Sequence, residues 1–154
     1  MEKQNVSIIL VASFVVLAAA SSIVIDSETT VSIQNISIDP GDQTTMPIII
    51  KDAKNVYAIH INLSYDASVI HVNDIGNSEF NFETFRDINN MTGYMSYAVF
   101  NNVALSGDLR FADIKLKAVG FSGDETPLNF DVVTVIDGKN ITPLEVVNGT
   151  LTIE

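Results

Sequence analysis

The sequence contains no cysteine and no tryptophan. Without cysteine, disulfides, thiolate chemistry and a Cys-ligated zinc are all excluded, so an exported form of the chain is held together by its core alone. Basic residues are scarce: eight Lys plus Arg stand against nineteen Asp plus Glu, for a formal net charge of −11. Phosphate recognition runs on Lys and Arg, so this balance excludes nucleic acid as the partner. The acidic surplus reads as a solubilising surface. Also missing are the spacings that mark common catalytic centres, since there is no Gly-x-Ser-x-Gly, no P-loop and no His-Glu-x-x-His. His60 and His71 are the only histidines, too few for a metal site without further ligands at fixed geometry. The chain reads as a binding protein, not an enzyme, and calls for no cofactor.

A long apolar run occurs only at the N-terminus. Lys3 precedes the stretch Val6 to Leu17, and Ala18, Ala19, Ala20, Ser21 and Ser22 follow it. A charged start, a short apolar centre and small residues make a secretory signal peptide over 1–22, with cleavage after Ala20 or after Ser22. The rival is an uncleaved anchor, because Ile23, Val24 and Ile25 lengthen the run toward the ~20 residues that span a bilayer. A membrane enters only in that case. The mature domain then occupies 29–154, with an extracellular or cell-surface location.

Six Asn-x-Ser/Thr sequons begin at Asn5, Asn35, Asn62, Asn90, Asn140 and Asn148. The content of Asn, Ser and Thr gives roughly two by chance, so the excess suits an exported, glycosylated surface.

After the leader, nearly every segment has the two-residue period of strands, punctuated by turn residues. Thr29 to Ile38 reads as a first strand with a bulge where the apolar phase slips at Ile36. Asp39-Pro40-Gly41-Asp42 is a turn. Thr44 to Lys51 is a second strand, and Pro47 places it at a sheet edge or a bulge. Val56 to Tyr65 is the clearest strand, predicted to bury Tyr57, Ile59, Ile61, Leu63 and Tyr65 together. Val69 to Ile75 follows. Phe80 to Asp87 fits a shifted strand or one helical turn. Beyond a turn at Asn89 to Gly93, Tyr94 to Phe100 is apolar on both faces, covered by a loop or forming an exposed patch. Its outward set is Tyr94, Ser96, Ala98 and Phe100 by polarity, or the odd-numbered residues if a bulge intervenes. Ser106-Gly107-Asp108 opens a hairpin arm, Leu109 to Val119, with a bulge expected near Ala112. Leu128 to Ile136 leads into Asp137-Gly138, the strongest hairpin signal, and Ile141 to Val147 and Thr150 to Glu154 close the pattern. About nine strands and no helix predict a sandwich or jelly roll.

In order along the chain, Asp39-Pro40-Gly41-Asp42, Met46-Pro47-Ile48, Leu63-Ser64-Tyr65-Asp66 with Val69-Ile70-His71-Val72, Gly107-Asp108-Leu109 with Phe111-Ala112-Asp113-Ile114, and Val147-Asn148-Gly149-Thr150-Leu151 resemble the cohesin family. The likeness covers Val31 to Ile153. It implies an all-β, nine-stranded jelly-roll β-sandwich that recruits a calcium-loaded dockerin on one sheet face in extracellular assemblies such as cellulosomes. Its dockerin-facing strand corresponds here to Ala58, His60 and Asn62. The family's acidic character is missing there, and a glycan on Asn62 would block the face. Tyr94, Ser96 and Ala98 complete the expected partner-binding set. The acidic loops at Asp39 to Asp42, Asp66 to Asp74 and Asp124-Glu125 lack EF-hand spacing, so calcium is expected on the partner and no metal on this chain. Carbohydrate-binding modules share the fold, which keeps a glycan partner as an alternative, and a structural cell-surface-layer component is a third reading.

Overall fold

Two long strands organise the molecule, β3 (Gln43–Ser64) and β6 (Tyr94–Ala118), paired antiparallel from Gln43↔Lys117 to Ser64↔Tyr94. The computed structural model describes residues 28–138 and 144–154, all β-strands and connections without helix. The leader, its cleavage point, Asn5, Asn140 and positions 141–143 of the last predicted strands lie outside the described residues.

The β3–β6 ribbon bends at mid-length. Asp52 and Asn55 in β3 and Gly107 in β6 adopt positive φ there. Side chains fix the bend: the Asp52 N–H donates to Asp108 Oδ1 at 3.2 Å, and the Asn55 N–H to Ser106 Oγ at 2.9 Å. Beyond it the partners change. Before the bend β3 pairs with β1 (Thr29–Ile33), and after it with β7 (Glu125–Ile136). Correspondingly, the second half of β6 takes β4 (Ile70–Gly76) and its first half takes β5 (Phe82–Asn89). One layer is therefore β8–β1–β3–β6–β4, with β8 (Leu144–Val147) parallel to β1, and the other is β7–β3–β6–β5. From the start of β7, β9 (Gly149–Ile153) and β2 (Ile36–Ile38) continue the pairing.

The ribbon keeps one face buried through both layers. Met46, Ile48 and Ile50 before the bend join Ile59, Ile61 and Leu63 after it in a single apolar core. Phe111, Ile114 and Leu116 of β6 and Leu128, Leu151 and Ile153 complete its centre, all without measurable exposure. Ionic contacts link β4, β5 and β6. Asp74 takes Arg86 at 2.8 Å and Lys115 at 3.1 Å, and Arg86 also reaches Glu83 at 2.6 Å.

Several strand expectations change. The phase slip at Ile36 marks a full break, with β1 pairing β3 and β2 passing on to β9, so no single bulged strand runs from Thr29 to Ile38. Conversely, the segments around Thr44 and Val56 fuse into β3, and those around Tyr94 and Leu109 into β6, because the bend preserves pairing across the glycine and the bonded loop residues. Pro47 sits opposite Asp113, one residue beyond the last β1 partner, Ile48, where a missing donor is tolerated. A register shift between Ile48 and Ile49 skips Phe111, placing Phe111 and Ala112 both inward, as the bulge near Ala112 predicts. Tyr57 is not in the core. It is 37% exposed, and Val56 takes the inward place because the register slips between Val56 and Ala58. Asp137-Gly138 closes no β7–β8 hairpin: Gly138 has φ of 88°, yet β8 pairs with β1 in the other layer. Of Phe80 to Asp87, the part from Phe82 is strand β5, with Thr84 as the extra residue of the shift, while Phe80 and Asn81 lie in the bend before it.

Candidate functional site

The outward side of β7–β3–β6–β5 gathers the residues singled out in the sequence. Register alone assembles it into four rungs. Ile136, Ala58, Phe100 and Phe82 form the first; Thr134, His60, Ala98 and Phe85 the second; Val132, Asn62, Ser96 and Asp87 the third. Asn129, Ser64, Tyr94 and Asn89 form the last. Met95, Tyr97 and Val99 of β6 point into the core, so the even-numbered set is outward, as polarity suggests. Tyr97 meets Phe111 edge-on at 5.5 Å, and burial raises its phenol pKa.

Polar side chains occupy the middle. His60 Nε2 and Ser96 Oγ lie 3.0 Å apart on a diagonal between adjacent strands, and Ser96 is almost wholly covered. The Asn62 side-chain oxygen beside them is buried without a hydrogen-bond partner among the described residues. Such an orphan acceptor costs about 1–3 kcal/mol. At the far rung Ser64 Oγ donates to Asp131 Oδ1 at 3.0 Å, and Asn89 Oδ1 accepts the Met91 and Thr92 N–H groups of the turn. An open hollow of about 660 Å³ adjoins this end, lined by Ser64, Asp66, Ser68, Met91, Thr92 and Asn129. The Ser68 hydroxyl holds the Asp66 carboxyl below the usual carboxylate range. His71 lies elsewhere, on β4 opposite Lys117. Among the described residues no cluster of His, Asp and Glu could hold a metal.

Alternation places Phe100 on the outward, patch-forming side of its strand, but it does not reveal Phe82 and Phe85 beside it. Phe82 is 44% exposed, Phe85 51% and Phe100 39%, and the Phe82 and Phe100 rings stack with centroids 4.8 Å apart. The odd spacing of 80, 82 and 85 is the available signal, because the extra Thr84 turns Phe82 and Phe85 to one side.

The sequons differ in what already engages them. Asn35 Oδ1 accepts the Thr150 N–H, and Asn148 Oδ1 the Phe130 N–H, both at exposed positions. Asn90 is enclosed: its oxygen accepts the Tyr65 hydroxyl and the Val72 N–H, and its nitrogen donates to the Val72 carbonyl. Asn62 stands in the third rung.

The described residues thus form a two-layer β-sandwich with a broad, mixed polar and apolar sheet face. The cohesin domain matches residues 29–153, and the chain belongs to that family. Comparison with curated proteins finds no match. Among solved structures it is similar to a non-cellulosomal cohesin from the archaeon Archaeoglobus fulgidus, at 18% identity and TM-score 0.73, covering 83% of this chain and 92% of that one. CaCohA2 from Clostridium acetobutylicum gives 22% identity and TM-score 0.72 over 83% and 92%. The OlpA cohesin of Clostridium thermocellum, solved in complex with a dockerin, gives 14% identity and TM-score 0.74 over 83% and 100%. At these identities the likeness is one of fold.

Proposed function

We propose that the chain is a secreted, non-catalytic recruitment module that binds a dockerin-like partner through the outward face of β7–β3–β6–β5. The observation that supports it is the convergence of Ala58, His60, Asn62, Tyr94, Ser96 and Ala98 on one sheet face. Such a face offers area to a protein partner, whereas small substrates prefer enclosed pockets. His60 and Ser96 resemble a base and nucleophile by distance alone, but Ser96 is covered, so its oxygen has no open path to a substrate. Calcium belongs to the partner in this reading. A glycan partner is the weaker alternative, because Phe82 and Phe100 already stack on one another and each gives up a ring face. The test is calorimetric titration with calcium-loaded dockerin modules, repeated with chelator. Chelator-sensitive binding supports the reading. Binding of soluble polysaccharide without dockerin binding favours the glycan alternative, and self-association alone favours a surface-layer component.

A further inference from the structure

We infer that this face is two-ended: its partner sets an apolar side chain on the Phe82–Phe85–Phe100 corner and a cationic side chain at Asp87, toward the other end of β5. The inference deepens the recruitment reading and rests on it. The corner is continuous by register, since Phe82, Phe100 and Ala58 are direct neighbours across three strands, with Ile136 beyond them at 41% exposure. Phe85 lies in the next rung, opposite Ala98. Large apolar groups exposed together mark an interaction surface, and aromatic side chains concentrate binding energy there.

Charge changes across the same face. The outward positions of these four strands carry no lysine or arginine, whereas Asp87 stands opposite Ser96 on one flank and the exposed Asp131 bonds Ser64 on the other. The one arginine of β5, Arg86, turns to the opposite side, over the Tyr97 ring at 5.7 Å and against Asp74 and Glu83. The chain as a whole carries −11. A partner complementary to this face is therefore apolar at one end and basic at the other. Between them, His60 Nε2 and Ser96 Oγ are joined by a hydrogen bond.

The experiment uses calcium-loaded dockerin modules from the same genome, expressed singly, and titrates the tightest binder against Phe82→Ser, Phe100→Ser, Asp87→Asn and, as an off-face control, Phe121→Ser. Phe121 is 81% exposed on the loop after β6. Each corner variant is expected to weaken binding tenfold or more. Asp87→Asn is expected to weaken it several-fold and to flatten its dependence on salt, because screening acts on the charge pair it removes. Phe121→Ser leaves affinity unchanged. Circular dichroism checks folding, and Phe85→Ser replaces a corner variant that fails to fold. If the wild type binds a dockerin and the corner variants bind equally well, the inference is overturned while the recruitment reading stands. If no dockerin binds the wild type, both fall. Loss of a dimer in the corner variants, seen by sedimentation, would make a second copy the occupant and overturn the inference.

Discussion

The Tyr65 hydroxyl donates to Asn90 Oδ1 at 2.7 Å, and through that bond the end of β3 is tied to the turn between β5 and β6. The same oxygen accepts the Val72 N–H at 2.8 Å, and Asn90 Nδ2 returns a bond to the Val72 carbonyl at 2.8 Å. One amide thus satisfies three groups on two other segments. Asn90→Ala leaves them without partners and should cost about 2–3 kcal/mol in urea denaturation. In a glycosylating host, glycopeptide mass spectrometry should find Asn90 bare on the folded protein, and Asn35 and Asn148 the better acceptors. An unchanged urea midpoint, or a glycan on Asn90 of folded protein, would refute this account.

Burial pushes the Tyr65 phenol up to about 12. A folded-state value above the unfolded one means that the neutral phenol stabilises the fold. That contribution is whole below pH 10 and lost as pH rises toward 12. Absorbance titration should show Tyr65 ionising only together with unfolding, and Tyr65→Phe should remove that share of the alkaline sensitivity. An ordinary phenol titration in the still-folded protein would count against it.

Asp74 behaves in the opposite sense. Its bond to Lys115, with Arg86 adding attraction, holds its carboxyl below the usual range. The stabilisation is therefore whole above the ordinary carboxylate value and lost as pH falls through the lowered one. Its side chain is 42% exposed, so solvent limits the contribution to about 1 kcal/mol or less. Asp74→Asn should lower stability slightly at pH 7, lose its disadvantage in acid, and narrow the gap in high salt. A constant deficit from pH 7 to pH 2 would show that the charge is irrelevant.

Ile61 is fully buried, whereas Tyr57, on the same strand and in the same alternating phase, is 37% exposed. Ile61→Ala should cost ~2–5 kcal/mol, as large-to-small core changes do. Tyr57→Ala should cost about 1 kcal/mol or less, since surface changes rarely do more. Equal losses in thermal or urea unfolding would return Tyr57 to the core.

That contrast shows what the amino-acid pattern encodes. Alternation reports a strand and its inward side wherever pairing is regular, as from Ile59 to Leu63. It fails where an extra residue changes the phase. Tyr57 and Phe82 are both such positions, and the slip appears only once the partner strand is known. Likewise Asp137-Gly138 encodes a local turn conformation but not the layer to which the chain returns, because β8 pairs with a strand more than a hundred residues earlier. Within the site, His60, Asn62, Ser96 and Ala98 could be placed from alternation. Phe100 could be placed the same way, but Phe82 and Phe85 could not, because register with β6 and the extra Thr84 set their side.

His60 faces Ala98 across the ladder, bonds Ser96 and stands one rung from Phe100. His60→Asp puts a carboxylate on a shorter side chain between the apolar corner and Asp87, where it meets apolar surface on one side and like charge on the other. Affinity for a dockerin should fall tenfold or more, about 1.4 kcal/mol. Asn62 lies in the adjacent rung, opposite Ser96, and a glycan there would stand between the partner and the sheet. Glycosylation at Asn62 should abolish binding by exclusion alone. Calorimetry of wild type, His60→Asp and an Asn62-glycosylated form checks both effects, with Asn62→Gln in the glycosylating host as the control that restores binding. Three equal affinities would move the site off this face. A His60→Asp variant that binds more tightly would mean that a cationic group of the partner sits at the centre of the face, not at its acidic end.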